Sequence, residues 1–95
     1  MINRGAPFTE TFNFKTADGQ IADISEKEFE IIVMRNMFIQ RYVGGQGLTY
    51  GPNSVTVNLT GAQTSEYKFS KISYSLNDIT DGESTPVFTG VWEVS

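Results

Sequence analysis

Apolar and polar residues alternate with a period of two near the end of the chain. Over residues 71–76, Ile72, Tyr74 and Leu76 fall on one side and Ser73 and Ser75 on the other. Over residues 87–94, Phe88, Gly90, Trp92 and Val94 share a side that excludes Thr89 and Glu93. Successive side chains of a strand point to opposite faces, so the pattern predicts two half-buried antiparallel strands joined by a turn-rich segment, 77–86. Trp92, the only tryptophan, carries the most apolar area and is the natural centre of a core.

The same alternation predicts a first strand over 8–14, with Phe12 and Phe14 on one face and Thr11, Asn13 and Lys15 on the other. Asp18-Gly19 is a turn signal, because glycine tolerates positive φ and aspartate bonds its own backbone. Residues 21–25 then return briefly. Val55, Val57 and Leu59 mark a strand over 54–59, and Leu48–Tyr50 is at most a short edge strand between Gly44-Gly45-Gln46-Gly47 and Gly51-Pro52-Asn53. Thr60 with Gln63 three residues on fits a capping box, which predicts one helical turn over 61–66 before Tyr67 and Phe69 re-enter the core.

Residues 26–43 read two ways. A helix would gather Phe29, Ile32, Val33 and Met37 but leave Ile31, Met34 and Phe38 on other faces. A strand puts Phe29, Ile31 and Val33 inside and Glu28, Glu30 and Ile32 outside. The β-branched content favours a strand over 28–35. Met37-Phe38-Ile39 would then continue it past a bulge or cover a sheet edge. About seven short strands separated by turns predict an all-β fold: one immunoglobulin-like antiparallel β-sandwich domain over 1–95, with residues 1–7 as an N-terminal arm. The expected core is Phe12, Phe14, Phe29, Phe69, Tyr74, Phe88 and Trp92.

Composition narrows the function. A 39% hydrophobic and 19% charged chain of 95 residues is neither disordered nor fibrous. Without cysteine or histidine it offers no disulfide framework and no zinc site of the Cys/His kind, and no histidine base or cysteine nucleophile. The serines and lysines show no activating arrangement, so no enzymatic activity and no cofactor is expected. Seven scattered Lys and Arg in a chain of net charge −4 argue against nucleic acid as the main partner. No apolar run approaches the roughly 20 residues of a membrane span, and Met1-Ile2-Asn3-Arg4-Gly5 lacks the apolar stretch of a signal peptide.

Three motifs carry a sharper reading beside a plainer one. Gly44-Gly45-Gln46 is the tripeptide of peptide-release factors, but three residues are easily met by chance, and the glycines more simply supply positive φ in a connection. Asp78, Asp81 and Glu83 gather three carboxylates around Gly82, which would suit calcium; without EF-hand spacing a solvated hairpin loop is favoured. Asp23, Glu26, Glu28 and Glu30 form a second acidic group, read as a solvated strand face rather than an acid/base pair.

The order of these elements is recognisable. Arg4-Gly5 leads into the first strand. Ala17-Asp18-Gly19-Gln20-Ile21, Asp23-Ile24-Ser25, a strand ending in Arg35, and 55–59 with Thr60-Gly61-Ala62-Gln63-Thr64 follow. The chain closes with Tyr74, Asp81-Gly82 and Phe88-Thr89-Gly90-Val91-Trp92-Glu93-Val94. This resembles small structural proteins of tailed bacteriophages with an immunoglobulin-like sandwich, similar to the N-terminal domain of baseplate upper proteins. The resemblance implies a virion protein of the tail, baseplate or fibre-attachment region. It would be made in the host cytoplasm, homo-oligomeric in the particle and docked on other virion proteins. Phe38, Tyr42, Tyr50 and Arg4 are the expected partner contacts. A capsid decoration protein is a close variant. A different class is a ligand- or glycan-binding module at the loop end formed by 44–51 and 77–86, for which Tyr50 is the candidate aromatic.

Overall fold

Each stretch of period-two alternation becomes a strand. The computed structural model describes residues 1–20 and 22–95. The strands are β1 (Phe8–Asn13), β2 (Phe29–Arg35), β3 (Phe38–Gly44), β4 (Gly47–Tyr50), β5 (Ser54–Leu59), β6 (Lys71–Asp78) and β7 (Thr85–Glu93), with one helical turn, α1 (Gly61–Thr64). The protein is all-β. The strands form one sheet in the order β1-β5-β4-β3-β2-β6-β7.

That sheet curls into a half-barrel in place of the expected antiparallel sandwich, and the curl brings its two halves face to face. Phe8 of β1 meets Trp92 of β7 edge-on at 5.1 Å between ring centroids, and Phe12 lies 5.2 Å from Phe88 and 5.7 Å from Tyr74. Glu10 accepts a 2.6 Å hydrogen bond from Trp92 Nε1 across the same gap. Trp92 is only 5% exposed, as its area demands. The halves join through β3 and β4, the one parallel pair of named strands among the described residues, at Val43 opposite Gly47 and Gly44 opposite Leu48. The glycine run makes this crossing: Gly45 and Gly47 take φ of +79° and +106°, and a Cβ on Gly47 would lie 3.0 Å from that of Tyr42.

The ambiguous segment resolves as a hairpin. The strand expected over 28–35 is present as Phe29–Arg35, but Phe38–Gly44 is a strand of its own rather than a continuation or an edge cover. Arg35 pairs with Phe38, so Asn36 and Met37 make the turn, and Asn36 adopts φ 54°. Asparagine is among the few residues that tolerate that region, and a turn without Gly or Pro carries no stronger signal.

Residues 1–7 are not a free arm. Ile2 is fully buried, donates to Glu93 O at 2.8 Å and bridges Val94 in parallel. The capping box is present: Gln63 N donates to Thr60 Oγ1 at 3.1 Å, and Gln63 Oε1 accepts from Thr60 N at 2.8 Å. The buried Thr64 hydroxyl of α1 then ties down Gly5 and Ala6. Of the expected core, Phe12, Phe29 and Trp92 are buried, and Phe14, Tyr74 and Phe88 pack against it half-buried. Phe69 is half-buried and packs on Phe38. Ile21, where the expected return over 21–25 begins, lies outside the described residues; among 22–25 there is no strand, and Ile24 is buried.

Candidate functional site

Two surfaces carry features that folding alone does not need. The first is a cleft of about 640 Å³ beside the β3–β4 crossing, lined by Glu28, Phe29, Arg41, Val43, Gly44, Gly45, Leu48, Thr49, Tyr50 and Ile79. It brings together the two loops that the sequence placed at one end. Three consecutive residues organise it. Glu28 is fixed through its backbone, its carbonyl accepting from Ile79 N and its amide donating to Thr80 Oγ1, both at 2.9 Å. The backbone of Phe29 holds the Tyr50 hydroxyl, which accepts from Phe29 N at 3.1 Å and donates to Phe29 O at 3.2 Å. The Glu30 carboxylate holds Arg41 at 2.5 Å.

Glu30 corrects an expectation. Alternation places it on the outer face, read as solvated, yet it is only 3% exposed. Oε2 accepts from Asn77 Nδ2 at 2.9 Å and from the Ser84 hydroxyl at 2.7 Å, so the β6–β7 loop roofs it. Burial pushes the Glu30 pKa up, toward the neutral form, but the bonds from Ser84, Asn77 and Arg41 outweigh that and hold the carboxyl below the usual carboxylate range. A carboxylate so held is a structural anion rather than a proton donor.

The second surface is the outer face of β3-β2-β6-β7. Ile39, Met34, Ser73 and Val91 stand opposite one another in a single row across the four strands. Ile39, Met34 and Val91 are 59%, 47% and 57% exposed, and Met37 at the neighbouring turn is almost wholly so. A shallow groove of about 290 Å³ adjoins the row, between Ile32 and Met34 on one side and Ser84 and Pro86 on the other, floored by Ser73 and Ser75.

The expected contact residues do not come together. Tyr42 is buried, and its hydroxyl pairs with that of Tyr67 at 2.9 Å. Phe38 is half-buried against Tyr67 and Phe69. Arg4 donates to Tyr67 O at 2.5 Å and Phe69 O at 3.1 Å. Only Tyr50 presents a substantial ring surface, 43% exposed. Around Gly82, Asp78 is engaged by Thr80 and Lys27, and Asp81 accepts from Glu83 N. Among the described residues no group of three or more Asp or Glu converges to hold a metal ion. Reading the sequence missed Glu30, Arg41 and the Met34 row: alternation identifies an outer face but not whether a loop covers it.

No family profile and no curated protein matches the chain. A crystal structure from Bacteroides vulgatus ATCC 8482, described as a "putative glycoside hydrolase", matches with a TM-score of 0.61 at 12% identity. The match covers 99% of this chain but 16% of that one, so this chain spans about a sixth of its length. At that identity the likeness concerns the fold alone.

Proposed function

We propose that this chain is a non-catalytic docking domain, a structural component of a tailed-phage virion that binds other virion proteins through the outer face of β3-β2-β6-β7. The exposed row Ile39–Met34–Val91 carries this reading. Exposed apolar side chains on a sheet face lose water when a partner covers them, and methionine adapts to the shape it meets; Ser73 interrupts the row between Met34 and Val91. The groove beside the row gives a partner side chain a place to enter. A hydrolytic role has less support. Glycoside hydrolysis requires a pair of carboxyl groups across the bond, and Glu28 is the one carboxylate among the residues lining the cleft.

Co-sedimentation of the purified chain with virion components tests the reading. Met34→Lys and Ile39→Lys place charge in the row at exposed positions, where stability changes by no more than about 0.5 kcal/mol. Loss of co-sedimentation in both variants, with melting temperature unchanged, is the expected result. Retention in both removes the proposed face from the interface, and no binding by the unmodified chain rejects the reading.

A further inference from the structure

The cleft beside the β3–β4 crossing is a built site that docking through the outer face does not use. We infer that it binds a neutral saccharide, with the Tyr50 ring as platform and Glu28 and Arg41 as the polar contacts. Tyr50 is unusual among the aromatic residues because it combines fixation with exposure. Its hydroxyl is held at both ends of one backbone unit, Phe29 N and Phe29 O, and its ring meets the Phe29 ring edge-on at 5.9 Å. Gly44 lets the ring lie down: a Cβ there would stand 2.8 Å from the Tyr50 hydroxyl oxygen. The ring is therefore immobilised before any ligand arrives, which removes part of the entropy cost of binding.

The groups around the ring choose the ligand class. A pyranose has an apolar face of C–H bonds that lies on an aromatic ring, and a rim of hydroxyls that both donate and accept. Glu28 supplies an acceptor on an exposed side chain whose backbone is pinned by Ile79 and Thr80. Arg41 supplies donors: its Nε is committed to Glu30, while the side chain remains 54% exposed. Because the Arg41 charge is already met by Glu30 and Glu28 is acidic, the cleft presents no unpaired cation to an acidic sugar, which favours a neutral one. The volume of about 640 Å³ lies in the range of small-ligand clefts.

Titration of the isotopically labelled chain with cellohexaose, maltohexaose and chitohexaose, followed by amide chemical shifts, tests the inference without any virion component. It is therefore independent of the docking reading. At least one hexasaccharide is expected to shift the amides of Glu28, Gly44, Thr49 and Tyr50 with a dissociation constant of about 0.1–10 mM. Tyr50→Ala is expected to weaken that binding by about tenfold or more, the range of one lost ring contact. Because Tyr50→Ala also removes bonds to Phe29, Glu28→Gln provides a second variant that keeps every backbone bond and is expected to bind several-fold more weakly. Absence of shifts with all three sugars at about 20 mM overturns the inference. So do shifts centred elsewhere, or binding that Glu28→Gln and a folded Tyr50→Ala leave unchanged.

Discussion

Asn77 faces Glu30 across β6 and β2 and donates a 2.9 Å hydrogen bond to its carboxylate, with both residues buried. The Ser75 hydroxyl in turn donates to Asn77 Oδ1 at 2.5 Å, so the amide is oriented from behind. This pair anchors one end of the outer face and, through Arg41, one wall of the cleft.

Glu30→Gln keeps the shape but places a second amide against Asn77 and removes the charge from Arg41. A loss of about 2 kcal/mol is expected, the scale for hydrogen bonds to a charged buried group. The pH dependence has a definite sign. The folded carboxyl lies below its unfolded value, so its contribution is complete above the unfolded value of about 4.3 and disappears as pH falls through the folded one. Chemical denaturation between neutral and acid pH should show a steeper decline for the unmodified chain than for Glu30→Gln. Parallel profiles would contradict the assignment.

Tyr42 and Tyr67 share a hydroxyl pair inside the core. Tyr67→Phe leaves the Tyr42 hydroxyl without its partner and is expected to cost about 1–2 kcal/mol. Adding Tyr42→Phe removes the second polar group and should recover part of that loss. Burial raises both phenols above their ordinary value. Their contribution is intact below about pH 10 and declines above it, where the unfolded phenols ionise first. A double-mutant cycle by denaturant unfolding measures the coupling, and strict additivity would count against it.

Thr64→Val removes a hydroxyl that accepts from Gly5 N at 3.0 Å and donates to Ala6 O at 2.8 Å, without changing side-chain shape. The expected cost is about 2 kcal/mol, concentrated in the N-terminal segment. Hydrogen exchange at Gly5 should accelerate while the β2 and β6 amides stay protected. An unchanged rate at Gly5 would mean that the segment is held elsewhere.

Gly90 stands opposite Tyr74, whose ring crosses it to stack on Trp92 at 4.4 Å and 25°. A Cβ on Gly90 would come within 2.7 Å of the Tyr74 hydroxyl oxygen. Strand propensity alone predicts that Gly90→Val stabilises. Displacement of the stacked ring predicts the opposite, a loss of about 1–3 kcal/mol with a shift in Trp92 fluorescence. The sign of the change in melting temperature decides between them.

Alternation by itself determined the class of the fold, the strand over 54–59 to the residue, and the inner faces of β6 and β7, because each of these depends only on a period of two. Thr60 and Gln63 determined the helical turn in the same local way. The Asn36–Met37 turn was decided by the pairing of Arg35 with Phe38, since its residues carry only a weak local signal. The parallel step at Gly44–Gly47, which turns one sheet into two layers, depends on chain crossing that local pattern does not encode. Glu30 is the sharpest case: its position in the alternation predicts water, and Ser84, fifty-four residues away, replaces that water with a hydrogen bond. Tyr50 likewise owes its fixed ring to Phe29 on another strand. A period identifies which way a side chain points; only the tertiary contacts determine what it meets there.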